Sequence, residues 1–162
     1  MAQTDAQLDP LEENSHGGGT DSILLWTEFR FRQFMAKVDQ IAKIQQISPA
    51  SLAYIGDAVY ELYIRTHYLL PPRRICDYHN QVVAHVRAES QAKILRTLEP
   101  YLTASEKDVL RRGRNAATKS PRRLNREIYQ QASSLETLLG YLYLTDTQRL
   151  TQLLAHLQLD SP

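Results

Sequence analysis

Apolar residues recur at three- and four-residue intervals along most of this chain, which is the spacing of an α-helix with one buried face. No stretch shows the strict alternation of a half-buried β-strand. Ser48 followed by Pro49 is typical of a helix N-terminus, because serine caps free backbone N–H groups and proline fits the first turn. This helix is predicted to run to about His67, where two prolines then break the pattern.

The same spacing predicts further helices. Thr103 and Glu106 form the sequence pattern of a capping box, and Gly113 is predicted to end the short helix that follows. The other predicted helices span about residues 22–46, 77–98, 125–144 and 146–158. The sequence therefore predicts an all-α fold.

The 162 residues suffice for one domain with a substantial core and a short appendage. Residues 1–20 contain four acidic side chains, no lysine or arginine, and three consecutive glycines, and are predicted to be a flexible acidic tail. Residues 21–46 are predicted to be an N-terminal helical extension, and residues 47–160 the main domain.

Composition excludes several classes of protein. Cys76 is the single cysteine, which excludes a disulfide framework and favours a reducing compartment, so a cytoplasmic location is expected. No apolar run approaches the roughly 18 residues that a membrane span requires. The N-terminus resembles neither a signal peptide nor an arginine-rich transit peptide, and no membrane partner is expected.

Charge is distributed unevenly, although the net charge is only +1. Residues 1–40 sum to −4, whereas residues 41–162 sum to +5. Within the second part, residues 107–126 contain eight basic side chains and one acid. Such a local positive field favours a polyanionic partner. The basic residues of the predicted loop at 111–126 are Arg111, Arg112, Arg114, Lys119, Arg122, Arg123 and Arg126.

Asp57 lies in the middle of the mostly apolar stretch "SLAYIGDAVYEL", residues 51–62. A carboxylate buried in a helix is costly unless it is paired or binds a metal. On a helical projection, Asp57 and Glu61 share a face with small alanines. The predicted core stripe points elsewhere and consists of Leu52, Ile55, Val59 and Leu62.

Glu136 occupies a similar position on the predicted helix at 125–144, among small residues and away from its leucine stripe. Two such helices packed side by side would bring Asp57 and Glu136 together. Carboxylate oxygens with room for water are the ligands that Mg²⁺ prefers. Beside a basic loop, a Mg²⁺ site of this kind predicts phosphodiester chemistry.

The same residues allow other interpretations. Asp57 could pair with Arg65, and Glu136 could be a solvated helix residue. Gly56 and Gly140 mark positions of close approach, which helix packing alone would also explain. The whole protein could be a catalytically silent RNA-binding assembly factor or a helical DNA-binding module. The DNA-binding module would need its basic residues on a recognition helix, whereas here they are predicted to lie in a loop.

Three motifs resemble those of the ribonuclease III family. "YIGDAVYEL", residues 54–62, resembles the signature helix of that family. "SSLETLLGYLYL", residues 133–144, resembles its second motif, in which a glutamate is followed four residues later by a glycine. "VLRRGRNA", residues 109–116, resembles the basic segment of a short branch, mini-ribonuclease III, or Mini-III.

This resemblance implies an all-α, homodimeric, Mg²⁺-dependent endonuclease that cuts double-stranded RNA. It implies that Asp57 and Glu136 are catalytic residues that bind the metal, and Glu61 is a lesser candidate that would act through a metal-bound water. Tyr54 matches an aromatic position that contacts the partner subunit. The chain departs from the full-length family at three acidic positions, which here are Ala50, Ala53 and Ser133. Mini-III proteins share these departures.

The resemblance also implies a substrate and a mode of binding. No double-stranded-RNA-binding domain follows the second motif in this sequence, so the catalytic dimer itself is expected to hold the RNA through the basic loop. Phosphate contacts of this kind do not read the base sequence. In the Mini-III branch the substrate is the precursor of 23S ribosomal RNA, and a large-subunit ribosomal protein assists. A catalytically weak RNA-binding ribosome-assembly factor is the alternative.

Overall fold

The structure, a computed structural model, describes residues 44, 46–118, 125–157 and 159. These residues belong to one compact unit that spans residues 40–162. The predicted acidic tail at 1–20 and nearly all of the predicted extension at 21–46 lie outside the described residues, so the proposed domain boundaries stay predictions.

The described residues form α-helices joined by short connections, with one 3₁₀ turn and no β-strand. The prediction of an all-α fold is confirmed. None of the helices in this part of the chain has the length and apolarity that a membrane span requires. The helices are α1 (Pro49–His67), α2 (Ile75–Val86), α3 (Ala88–Leu98), α4 (Ala104–Ala116), α5 (Arg126–Thr145) and α6 (Thr147–Leu154), with the 3₁₀ turn at Glu99–Tyr101.

Two predicted helix starts are confirmed by their hydrogen bonds. The Ser48 hydroxyl oxygen accepts the backbone N–H of Ser51 at 3.0 Å, so α1 begins where the sequence predicted. At α4, the Thr103 hydroxyl oxygen accepts the N–H of Glu106 at 3.3 Å, and the Glu106 carboxylate accepts the N–H of Thr103 at 2.8 Å. These caps satisfy backbone donors that a helix leaves free at its N-terminus.

Helix α5 is the centre of the fold, and it packs against α1, α3, α4 and α6. Most of its length between Ala132 and Leu142 is buried, including the small polar residues Ser133, Ser134 and Thr137. Ser134 and Thr137 are tolerated there because their hydroxyls donate to carbonyls one turn back, as Thr137 does to Ser133 at 2.7 Å. A helix with small residues on several sides can be surrounded closely by other helices.

The prediction of one helix over 77–98 is wrong, because the backbone turns at Arg87. Arg87 has an extended ψ of 152° and lies between the end of α2 and the start of α3. The Ser90 hydroxyl donates to the Ala84 carbonyl at 2.6 Å and so holds the two helices together across the break. Apolar spacing continues on both sides of Arg87, so the periodicity alone does not reveal the turn.

The prediction that Gly113 ends its helix is also wrong. Helix α4 continues to Ala116, and Gly113 is buried against Thr137 and Ser134 of α5. The glycine is therefore a point of close helix contact and not a stop signal. Arg111, Arg112 and Arg114 accordingly lie on a helix and not in a loop. Lys119, Arg122 and Arg123 lie outside the described residues.

The core stripe predicted for α1 is wrong in two of its four positions. The buried residues of this helix are Leu52, Gly56, Tyr60 and Ile64, one turn apart. Ile55 and Leu62, which were predicted to be buried, are 38% and 62% exposed. The reason is that α5 packs along the side of α1 that carries the glycine, where the two backbones can come closest.

Candidate active site

The site is built where α1 crosses α5, at Gly56 and Gly140. A Cβ atom placed on Gly56 would lie 1.8 Å from the carbonyl oxygen of Glu136, and one placed on Gly140 would lie 2.0 Å from the carbonyl oxygen of Leu52. Each helix thus presents a glycine to the backbone of the other. Because Asp57 follows Gly56 directly and Glu136 is in contact with it, this crossing brings the two acidic positions together.

Asp57 and Glu136 line an open cavity of about 230 Å³ between α1, α4 and α5. Ala50, Ala53 and Ser133 are small residues of the cavity lining, and they leave room beside the two carboxylates. The residues that line the cavity are Pro49, Ala50, Ala53, Tyr54, Asp57, Gly113, Ala116, Ala117, Tyr129, Ser133, Glu136 and Thr137.

The pKa values of both carboxyl groups are raised. Burial raises the pKa of Glu136 from its ordinary value of 4.5 to about 7, and the nearby Asp57 contributes to the rise. Partial burial of its carboxyl group also raises the pKa of Asp57, and the negative charge of Glu61 adds to this. Two acids held close together in a partly dry site favour a bound cation, which would relieve their repulsion.

Gln91 is a third polar residue at the site, and the sequence reasoning missed it. Its side chain, on α3, is 1% exposed and lies close enough to both carboxyl groups to lower the pKa of Asp57 and that of Glu136. The signal was present in the sequence, because Gln91 stands one turn before the apolar residues Ile94 and Leu95 and so occupies a core position. An amide in such a position requires a polar partner.

The residues present fit a hydrated Mg²⁺ ion better than a metal enclosed by protein ligands. Among the described residues, no group of three or more His, Cys, Asp or Glu side chains is placed to hold a metal. Mg²⁺ usually keeps several waters and is bound by only one or two carboxylates. Asp57 and Glu136 would supply those carboxylates, and the cavity beside them has room for water.

The other predicted site residues differ in their positions relative to this cavity. Glu61 does not line the cavity; it forms an ion pair with Arg65 one turn along α1. Tyr54 lines the cavity and is 84% exposed. Arg112 and Arg114 are exposed on either side of the buried Gly113 on α4. The roles assigned to these residues from the sequence stay predictions.

Arg111 differs from the other two arginines of α4. It lies on the side of the helix opposite to Gly113, and its guanidinium donates to Asp108 at 3.2 Å. Arg112 and Arg114 are therefore the arginines of α4 nearer to the cavity wall.

The raised pKa of Glu136 predicts how stability depends on pH in the metal-free protein. Because Glu136 keeps its proton to about pH 7 when folded and loses it near pH 4.5 when unfolded, stability should fall by up to about 3 kcal/mol between those values. Thermal unfolding of the parent and of Glu136→Gln across this range measures the effect. Parallel curves for the two proteins would contradict the burial of an ionisable Glu136.

Comparison with known proteins gives a consistent result. The Ribonuclease III domain family matches residues 50–147. A Mini-ribonuclease 3 of Synechocystis sp. is 64% identical over 116 residues, which are 72% of this chain and 81% of that protein. A Mini-ribonuclease 3 of Thermosynechococcus vestitus is 57% identical over 108 residues, which are 67% of this chain and 72% of that protein.

The fold agrees with a solved structure. A crystal structure of a protein from Fusobacterium nucleatum superposes with a TM-score of 0.62 at 29% sequence identity, and the match covers 67% of this chain and 90% of that one. The crossed helices, the paired carboxylates and these matches define an RNA-cleaving enzyme, and the chain belongs to the ribonuclease III family. Within this family of endoribonucleases, its relatives are Mini-ribonuclease 3 proteins, as the basic segment at residues 109–116 predicted together with the two family motifs.

Proposed function

We propose that this endoribonuclease cleaves double-stranded RNA as a Mg²⁺-dependent homodimer, with Asp57 and Glu136 as the catalytic residues. The observation that carries the proposal is the pairing of these two carboxylates at the edge of one open cavity, with arginines exposed on the adjacent helix. Incubation of the purified protein with duplex RNA, with and without Mg²⁺, tests it. Cleavage without divalent metal would refute the proposed chemistry.

Each part of the site has a separate task in this proposal. Asp57 and Glu136 hold the cation, which when bound would polarise the scissile phosphate and lower the pKa of a water nucleophile. The crossing at Gly56 and Gly140 fixes how far apart the carboxylates lie. Burial on α5 keeps Glu136 in a partly dry environment, where interactions between charges are stronger than in bulk water.

The arginines of α4 are proposed to bind the RNA backbone. Arg112 and Arg114 are exposed on α4, whose residues Gly113, Ala116 and Ala117 form one wall of the cavity. A duplex laid across this wall would bring phosphates to both guanidinium groups and a scissile phosphate to the carboxylates. Contacts to the backbone suit recognition of A-form RNA by shape.

Replacement of Arg112 and Arg114 by alanine should weaken binding to every duplex, because phosphate contacts do not depend on sequence. The dependence of log affinity on log salt should become shallower by about one unit for each phosphate that the variant no longer neutralises. Affinity for a short RNA duplex, measured at several salt concentrations in the Glu136→Gln background, tests this without cleavage.

Arg111→Ala is the matched control for this experiment. Arg111 lies on the same helix but on the far side, and it is already paired with Asp108. Replacement of Arg111 should change the RNA affinity and its salt dependence less than replacement of Arg112 or of Arg114. Equal effects of all three arginines would show that the charge of α4 acts as a diffuse field.

The exposed apolar side chains of α1 support the proposed dimer. Tyr54, Ile55 and Leu62 are 84%, 38% and 62% exposed, and they share one side of the helix with Ala58. Large apolar groups clustered on one exposed face indicate an interaction surface. A two-fold axis near this face would join two copies of α1 and supply the second site that double-strand cleavage needs.

Tyr54→Arg should shift the protein toward monomer at micromolar concentration, because a charge would have to be buried at the dimer interface. Light scattering at several concentrations measures the change. Tyr101→Arg is the control, since Tyr101 is 48% exposed but lies on the 3₁₀ turn, outside α1. A dimer unaffected by Tyr54→Arg would place the interface elsewhere.

The precursor of 23S ribosomal RNA is the proposed physiological substrate, with a large-subunit ribosomal protein as the proposed accessory partner. This part of the proposal rests on membership in the Mini-ribonuclease 3 branch. The alternative is a catalytically weak RNA-binding assembly factor. The presence of both Asp57 and Glu136 at one cavity favours the enzyme, since an assembly factor would not need a pair of mutually repelling carboxylates.

A further inference from the structure

Gln91 connects a third helix to the carboxylate pair. Its side chain on α3 is 1% exposed, and it interacts with the carboxyl groups of both Asp57 and Glu136, lowering the pKa of each. An ionised carboxylate can only accept hydrogen bonds, so the amide nitrogen of Gln91 is the donor in these contacts. This nitrogen carries two protons, which is one for each carboxylate.

The amide oxygen of Gln91 has no such partner. Within the described part of the chain, Oε1 is a buried side-chain atom without any hydrogen-bond partner. An unsatisfied buried acceptor costs about 1–3 kcal/mol. Methionine has a similar length and would fill the same space without this cost. Packing therefore does not explain a glutamine at this position, whereas its contacts with the two carboxylates do.

We infer that Gln91 is a positioning residue whose amide N–H groups hold the Asp57 and Glu136 carboxylates side by side, facing the cavity. This inference rests on the proposed metal site. Without a shared donor, the two negative groups would repel and could rotate apart. An arginine or lysine in the same place would neutralise the pair and compete with a divalent cation. A neutral amide orients both groups and leaves their charge available for the cation.

Gln91→Met tests the inference, because it removes the donor and keeps the volume. Mn²⁺ binding to the RNA-free protein, measured by titration calorimetry above the pKa of about 7 of Glu136, should weaken about tenfold. The melting temperature without metal should be equal to or above that of the parent, because the unsatisfied oxygen is gone. With duplex RNA and Mg²⁺, kcat should fall and KM should stay the same.

Gln81→Met is the matched control, since Gln81 is a partly buried glutamine on α2 whose side chain accepts a hydrogen bond from Arg73. It should leave Mn²⁺ affinity unchanged. If Gln91→Met does not fold, Gln91→Asn withdraws the amide by one methylene and should cause the same loss of affinity. A folded Gln91 variant with parental Mn²⁺ affinity would overturn the inference but leave the metal site intact. Absence of Mn²⁺ binding in the parent protein would overturn both the role of Gln91 and the proposed metal site.

Discussion

Asp57→Asn and Glu136→Gln should each reduce the rate of duplex-RNA cleavage by about 10³-fold or more and leave the protein folded. Loss of a cation that stabilises the transition state by several kcal/mol corresponds to a rate change of this size. Neither change should lower the melting temperature, because the pKa values of both groups are raised and their ionised forms oppose folding. Single-turnover cleavage of a labelled duplex measures the rate.

Two other carboxylates provide controls. Glu127→Gln changes an exposed residue in the first turn of α5, the helix that carries Glu136, and should retain parental activity. Glu61→Gln removes the partner of Arg65 on the helix that carries Asp57. A small effect on the cleavage rate would assign Glu61 to that ion pair. A loss of cleavage rate comparable to that of Asp57→Asn would assign Glu61 to the metal site. Parental activity in either Asp57→Asn or Glu136→Gln would refute the proposed catalytic pair.

Gly56→Ala should destabilise the protein by about 3 kcal/mol or more, which is the upper end of the usual cost of overpacking. The added methyl would lie 1.8 Å from the carbonyl oxygen of Glu136 and 2.7 Å from the backbone nitrogen of Gly140. These are backbone atoms, so no side chain can rotate to make room and the helices must separate. The gain of about 1 kcal/mol in helix propensity is too small to compensate.

Gly113→Ala is the comparison for this experiment. Its added methyl would lie 2.5 Å from the Thr137 hydroxyl and 3.2 Å from the Cα of Ser134, so its nearest contact is a side chain. Chemical denaturation should show a smaller loss of stability than for Gly56→Ala. If the Gly56 variant folds, its cleavage rate should fall as well, since separation of α1 and α5 moves Asp57 and Glu136 apart. Unchanged stability in Gly56→Ala would show that the backbones of α1 and α5 are not in direct contact at Gly56.

The residue pattern alone determined the class of the fold and most helix starts. Capping is a local interaction among neighbours in sequence, so Ser48 and the pair Thr103 and Glu106 could be read directly and are confirmed. The carboxylates were found for a similar reason. An acid in an apolar helix is conspicuous wherever that helix packs, and the sequences around Asp57 and Glu136 carry the family motifs.

Only the tertiary structure decided which faces of the helices meet. Helical spacing shows which residues share a side, but the shape of the neighbouring helix determines which side is buried. Because Gly56 has no side chain, the backbone of α5 packs against this side of α1. Tyr60 is therefore buried in the core, and Leu62 is exposed. Gly113 is likewise a contact, although a glycine near a helix end resembles a stop. The extended backbone at Arg87 redirects α3 and brings Gln91 to the carboxylates, a contact between residues distant in sequence that no local pattern records.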